Sequence, residues 1–457
     1  MGLAAWVLAA LTACGGGGGG SPDSPSQTGS GGMAALPGVL QVRVTDAQGT
    51  PVPGVQVKAS AGGYTDVSGS TDSQGLALIA VPWRDTPATV TVSGSAVQTQ
   101  VLPTPWKASQ INDLAVTLTR LTQPAAGVLA SRSGLAAVVG DAGRSLSFEV
   151  EVVVVDAQGD SLSDLTAERF SLLACTPDAS TGSQDCLRGA GSDTAYAAAA
   201  PDALSTVAGQ AAQPHAAALL MDQSSSILGS DPTGARLYSA KSFFAALGGQ
   251  DQVRLAAFAA GSGTLLPTQP LTVYPGRVTA AEPRALHATL DGLSAQVGGQ
   301  TPLYAAIDAL RAQMLLDTAV PAGMARSIIA FTDGADTQCR SSTECATMRQ
   351  ATIAAAQASQ VRLFTIGLSK NVDVEALSSL AVQTGGAMLY AETAEQLIPL
   401  YGSLGRLLSL SLPTYRLRFT AQAGTAGAFA PGQVLMGTLQ IDARGQPVRV
   451  PFVVSVP

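Results

Sequence analysis

The chain has 457 residues with 46% hydrophobic, 12% charged and 5% aromatic content, which is enough apolar material for a sizeable core and too long for one average domain. Lys and Arg number 25 against 32 Asp and Glu, a net charge of −7, and there is no basic stripe interleaved with aromatics; nucleic acid is a poor partner and a cation a better one. His215 and His287 are the only histidines, so His-rich zinc sites and His-dependent hydrolytic triads are nearly excluded and oxygen ligands must carry any site.

Residues 1–13, MGLAAWVLAALTA, are an apolar run too short for the about 20 residues of a membrane-spanning helix, and they read as an export signal. The run ends in Leu11-Thr12-Ala13-Cys14, which resembles the lipobox of bacterial lipoproteins. That resemblance implies cleavage before Cys14 and lipid on its thiol and amine, an anchor of several acyl chains. Gly15, where an Asp would signal retention at the inner membrane, implies an outer-membrane destination. The n-region departs from the pattern, since no Lys or Arg precedes the apolar run. Residues 14–36 are Gly, Ser and Pro with little else, a tether that cannot bury enough surface to fold. The expected location is the bacterial cell envelope, lipid-anchored, on the periplasmic or the outer face.

From 37 to 121 short alternating runs (VLQVRVTD, VQVKAS, LALIAVP, TVTVSGS, DLAVTLTR) are broken by Gly, Pro, Asp and Ser, which predicts an all-β sandwich. The order VRVTDAQGTPVPGVQV followed by Thr71-Asp72-Ser73-Gln74-Gly75 resembles the carboxypeptidase-regulatory-like, transthyretin-type module. The resemblance implies a spacer or binding sandwich without chemistry of its own. Residues 122–143 read as a linker. Residues 144–212 and 413–457 read as β-rich again and are expected to pair into a platform, with the middle of the chain inserted between them. Asp46-Ala47-Gln48-Gly49, Asp156-Ala157-Gln158-Gly159 and Asp442-Ala443-Arg444-Gly445 each follow a β-branched run and have the residues of hairpin turns.

Residues 213–412 change rhythm to apolar strand, loop and amphipathic helix. Strands are predicted at 216–222, 253–259, 327–333, 361–367 and 387–391, and helices at 235–247, 282–293, 303–316, 346–359, 373–383 and 394–410. This alternation is the pattern of an α/β doubly wound, Rossmann-like sheet, whose ligands bind at the carboxyl ends of the strands. Cys175, Cys186, Cys339 and Cys345 remain after Cys14; three pairings are possible, and local Cys175–Cys186 and Cys339–Cys345 bridges are expected in an oxidising compartment.

Three motifs stand at the expected strand ends. Asp222-Gln223-Ser224-Ser225-Ser226 follows the first strand, Gly298-Gly299-Gln300-Thr301-Pro302-Leu303 opens a helix, and Phe331-Thr332-Asp333-Gly334 ends a later strand. Their order and context resemble the von Willebrand factor A domain and its metal-ion-dependent adhesion site. Matched by position, the resemblance implies Asp222, Ser224, Ser226, Thr301 and Asp333 as ligands of Mg²⁺ or Mn²⁺. With the flanking β segments, the chain is further similar to bacterial von Willebrand-A-related lipoproteins. A hard dication held by only two carboxylates keeps an exchangeable position, so the implied function is adhesion: a protein partner's Asp or Glu completes the shell. The competing readings are an assembly scaffold without metal-dependent capture and a hydrolytic enzyme. No G-x-G-x-x-G opens the first helix of this region, and G-x-x-x-x-G-K-[ST] and G-x-S-x-G do not occur, which weighs against an enzyme.

Overall fold

Seven strands come first among the described residues of the computed structural model, which describes residues 38–457 apart from 47–48, 95–96, 119–126, 157–159, 176–199, 210, 212, 261–270, 283, 370, 410–411 and 424–427. The expectations for Cys14, the tether and the Cys175–Cys186 bridge fall on residues outside the described ones. The strands are β1 (Gly38–Asp46), β2 (Gln56–Ser60), β3 (Val67–Ser70), β4 (Leu76–Val81), β5 (Thr86–Gly94), β6 (Val97–Trp106) and β7 (Ile111–Leu118). They form two sheets, β4-β1-β7 and β3-β2-β5-β6. Leu40, Val42 and Val44 point inward from β1 by the period-2 rule, and Trp83 and Trp106 meet edge to face at 6.0 Å between them. Asp72 accepts from the backbone N–H of Gln74 and Leu76 and so closes the turn into β4. Gly75 there has φ +67, and a side chain would run into the carbonyl of Val44.

The stretch 122–143, expected as a linker, instead contains a long strand, β8 (Gly127–Gly140). Its small residues and three glycines hide the apolar alternation, and its pairing with β9 (Ser145–Val155) shifts register three times, so no steady period 2 is written in the sequence. After β9 come β10 (Phe170–Cys175) and β11 (Ala203–Val207). The α/β core follows as β12 (His215–Asp222), α1 (Ile227–Ser230), α2 (Ala235–Ala245), β13 (Gln252–Phe258), β14 (Leu271–Val273), β15 (Val278–Thr279), α3 (His287–Leu293) and α4 (Leu303–Leu315). It continues through β16 (Ala325–Thr332), α5 (Ser342–Ala358), β17 (Val361–Leu368), α6 (Val374–Gln383), β18 (Met388–Ala391) and α7 (Leu397–Leu408). The chain closes with β19 (Thr414–Gln422), β20 (Val434–Ala443) and β21 (Gln446–Ser455).

One sheet runs through the molecule in the order β11-β19-β9-β8-β18-β17-β16-β12-β13-β14, with β15 beside β13. Strands β13, β12, β16, β17 and β18 are parallel, as βαβ connections require, and β8, β9, β19 and β11 continue the sheet antiparallel. The two parts meet at one residue pair, Ser131 with Met388, where the Ser131 hydroxyl also donates to the Met388 carbonyl. Because alternate residues of a strand face opposite ways, Ala218 and Leu220 of β12 enter the core under α4, α5 and α6, whereas Ala217, Leu219 and Met221 enter the one under α2, α3 and α7. The leucines of α7, Leu397, Leu400, Leu404, Leu407 and Leu408, all lie in that second core.

Two smaller packings complete the frame. Strands β10, β20 and β21 form a sheet that covers the antiparallel end of the large one. Phe148 is stacked there between Phe419 and Phe452, at 6.0 and 5.9 Å. The N-terminal sandwich rests on α2 and α7 through β6 and β7, and Ala245, at the end of α2, is buried within the sandwich's own apolar cluster. This contact is at the end of the parallel sheet where β13 begins, so the strands run away from the sandwich. Substituting Phe148 by alanine should remove the stack and leave a cavity, costing about 3–5 kcal/mol, measured as a lowered midpoint of urea unfolding.

Candidate metal centre

Asp222 is the last residue of β12, and Thr332 is the last of β16. The two strands are parallel neighbours with Met221 opposite Phe331, which brings the next pair, Asp222 and Thr332, side by side at the strand ends. The Thr332 hydroxyl donates to Asp222 Oδ2 at 2.6 Å, and the Ser224 backbone N–H donates to Asp222 Oδ1 at 2.7 Å. Asp222, Ser224 and Asp333 are all buried, at 0%, 2% and 2% exposure, while Ser226 opens to the surface.

Hydroxyls knit the first and third loops together. Ser224 Oγ and Ser226 Oγ are 3.1 Å apart, and Ser226 Oγ donates to Asp333 Oδ1 at 2.7 Å. Ser226 stands at the N-cap position of α1 without using its side chain as a cap, so the ordinary structural job of a serine before a helix is not what this hydroxyl does. The second loop comes in through its backbone. Gly298 N–H donates to the Gln223 carbonyl at 2.7 Å, and the Ser225 N–H donates to the Gly299 carbonyl at 3.0 Å. Gly299 has φ +88, and a Cβ there would sit 2.5 Å from the Ala260 carbonyl oxygen, which is why this corner requires glycine. Thr301, 4% exposed, follows two residues later at the head of α4.

Electrostatically the site is unbalanced. Burial pushes the Asp222 carboxyl up to about 6, and the neighbouring charge of Asp333 pushes the same way, against the hydrogen bonds from Thr332 and Ser224. No Lys or Arg is among the groups acting on Asp222. A buried guanidinium that reaches the first loop, Arg236 of α2, is already paired with Asp231 at 2.8 Å and with Gln223 Oε1 at 3.0 Å. Among the described residues no cluster of three or more His, Cys, Asp or Glu is assembled. Two carboxylates with surrounding hydroxyls are nevertheless the donor chemistry of a small hard cation, and a dication would neutralise the charge that the protein leaves unmet.

Other oxygens belong to the site that the motif spacing did not single out. Ser230 Oγ donates to Asp333 Oδ2 at 2.5 Å. It stands one helical turn after Ser226, a signal readable only once α1 is known to be helical. Thr332 is in the third motif, but its role as the donor to Asp222 needs the register of two strands. Asp336 caps α4 from across the loop by accepting from Tyr304 N–H at 2.8 Å. Cys339 and Cys345 are joined by a disulfide beside this loop. His215 is buried at the opposite end of β12, 3.0 Å from Asp251, and His287 stacks on Phe244 of α2.

The comparisons with known proteins agree with this architecture. The model of the von Willebrand factor type A domain matches residues 218–401, and that of the macroglobulin domain MG4 matches residues 34–114. The N-terminal β-sandwich thus answers to a macroglobulin-type model, where its turns had resembled the transthyretin-type module. No curated protein matches the chain. Similar solved structures include a von Willebrand factor type A protein from Catenulispora acidiphila, 12% identical over 73% of this chain and 74% of that one, with a TM-score of 0.34. Another is the manganese-loaded Plasmodium vivax TRAP protein, 13% identical over 56% and 97%, with a TM-score of 0.32. A third is proximal thread matrix protein 1 from the mussel byssus with a zinc-occupied MIDAS motif, 17% identical over 44% and 50%, with a TM-score of 0.33. By the two family models, the chain carries a von Willebrand factor type A domain at residues 218–401, preceded by a β-sandwich.

Proposed function

We propose that the protein is a lipid-tethered binding module of the bacterial envelope that grips an Asp or Glu of a protein partner through a metal-ion-dependent adhesion site. Asp222, Ser224, Ser226, Thr301 and Asp333 are the proposed ligands, with Mg²⁺ or Mn²⁺ as the ion. The observation that carries the reading is Asp222: a fully buried carboxylate next to a second one, surrounded by hydroxyls and without a cationic side chain to balance it. When bound, such an ion supplies Lewis acidity and an exchangeable position for one further oxygen donor.

The surroundings favour binding over catalysis. Neither histidine lies at this end of the sheet, and Ser225 and Ser226 at the rim are exposed, as a protein ligand requires. The site and the sandwich occupy opposite ends of the parallel strands, so a partner can approach without displacing the sandwich. Among the described residues no helix is long and apolar enough to cross a membrane. Attachment is proposed to rest on Cys14, with an outer-membrane anchor and display on either face.

Two outcomes follow. Purified protein should capture its partner from envelope extract in magnesium and lose it in EDTA. Asp222→Ala should abolish both capture and the calorimetric heat of magnesium binding; capture that survives EDTA would exclude the metal. The second outcome concerns pH. The folded Asp222 carboxyl is raised from 3.8 to about 6, so its contribution to stability is complete below 3.8 and is lost as pH rises through about 6. In EDTA, wild type should therefore lose stability relative to Asp222→Asn between pH 5 and pH 7.5, while magnesium should remove that loss by holding the carboxylate ionised. Urea midpoints of both proteins at the two pH values, with and without magnesium, check this.

A further inference from the structure

The loop after Asp333 is built as a clamp on Thr301. Thr337 Oγ1 accepts from the Thr301 backbone N–H at 2.8 Å, and the Thr337 N–H donates to the Thr301 carbonyl at 2.9 Å. Both backbone groups of Thr301 are thus fixed by one residue that is 36 positions away in sequence. Either side of Thr337 the loop is held again. Asp336 accepts from the N–H of Tyr304, in the first turn of α4, at 2.8 Å, and Gln338 Nε2 donates to Gln300 Oε1 at 2.9 Å. Residues 336–338 therefore run alongside residues 300–304 with a contact at each position.

The far end of the same loop is fastened to α5. Cys339 is bridged to Cys345, with 5.1 Å between their Cα atoms, and Cys345 lies in the first turn of α5. Ser341 caps that helix by accepting from Glu344 N–H at 3.1 Å, and Glu344 reaches back to accept from Arg340 N–H at 2.7 Å. A loop of this length could otherwise rotate about its ends. With α5 on one side and α4 on the other, its middle residue has one place to be.

We infer that Thr337, fastened through the Cys339–Cys345 bridge, is a positioning residue that sets Thr301 for metal binding. The inference rests on the proposed ligand set above. Its physical basis is that a small dication demands near-ideal geometry from its ligands. Thr301 has no strand of its own to fix it, unlike Asp222 and Asp333, which stand at the ends of β12 and β16. The hydroxyl of Thr337 acts on the backbone of Thr301 and does not itself touch the ion.

The test is calorimetric titration of the full chain with magnesium and with manganese, comparing wild type, Thr337→Val, Thr337→Ser and the Cys339→Ser/Cys345→Ser double variant. Thr337→Val keeps the shape and removes the acceptor, so affinity should fall by about 10-fold or more, as for other residues that orient metal ligands. Thr337→Ser restores the hydroxyl and should bring affinity back near wild type, a rescue that a role confined to packing would not give. The double variant should weaken binding in the same direction and indicates the outcome if Thr337→Val does not fold. Wild-type affinity in Thr337→Val, or in a folded double variant, overturns the positioning role and leaves the metal reading standing. No heat from wild type itself overturns both.

Discussion

The buried carboxylate of Asp222 is the constraint around which the domain is arranged. An isolated ionised carboxylate in an apolar setting is costly, and folded proteins usually pair it or leave it in water. Here it is placed at the end of a fully buried strand, with a threonine hydroxyl on one oxygen and a backbone N–H on the other, and a second carboxylate is brought up beside it. Hydrogen bonds offset part of the burial but supply no positive charge. The buried guanidinium of Arg236, which reaches the same loop, is paired with Asp231. That choice separates two neighbouring acidic groups into one that is internally balanced and one that is left without a positive charge.

The rest of the sheet makes this placement possible. A parallel strand covered on both faces supplies apolar packing along its whole length, and a buried Leu, Phe or Met side chain contributes about 1.5–3 kcal/mol. Leu219, Leu220 and Met221 immediately precede Asp222 and are each at 0% exposure. Their burial fixes the register that sets Asp222 against Thr332. One residue of slip would turn the carboxylate to the other face of the sheet and carry it away from Asp333.

The core strands and the three motifs at their ends were legible in the sequence because both are local. Short continuous apolar runs such as AAALLM and SIIAF, alternating with amphipathic helical segments, have the pattern of buried parallel strands, which places the acidic residue following each run at a strand end. The sequence offered the Gly298-Gly299 pair before a helix, and the structure supplies the reason for it: the positive φ of Gly299 and its tight approach to Ala260 require glycine there. What was not legible depends on partners distant in sequence. Strand β8 has the small side chains and glycines of a linker and becomes a strand only because β9 offers it a ladder, bulges included. Ala245 is an unremarkable helix residue until the sandwich closes over it. Ser230, Thr332 and Thr337 are ordinary hydroxyls in a Ser- and Thr-rich chain, and their partners lie 103, 110 and 36 positions away.

These distant hydroxyls also explain how a site made of loops can be specific. A dication selective for six oxygens at short range gains little from ligands that must first be collected, because each loop would lose conformational freedom on binding. In this domain the loops are collected beforehand. Gly298 and Gly299 tie the second loop to the first, Ser226 and Ser230 tie the first to the third, and Thr337 ties the third back to the second. The circuit closes without using a metal ion, so folding has already met the ordering cost of the first and third loops and of the Thr301 backbone. What folding leaves unmet is charge. An ion entering such a site gains affinity from electrostatic relief more than from ordering. By linkage it returns the same free energy as stability of the fold, which makes the strength of ion binding and the resistance of this end of the sheet to unfolding two measures of one quantity.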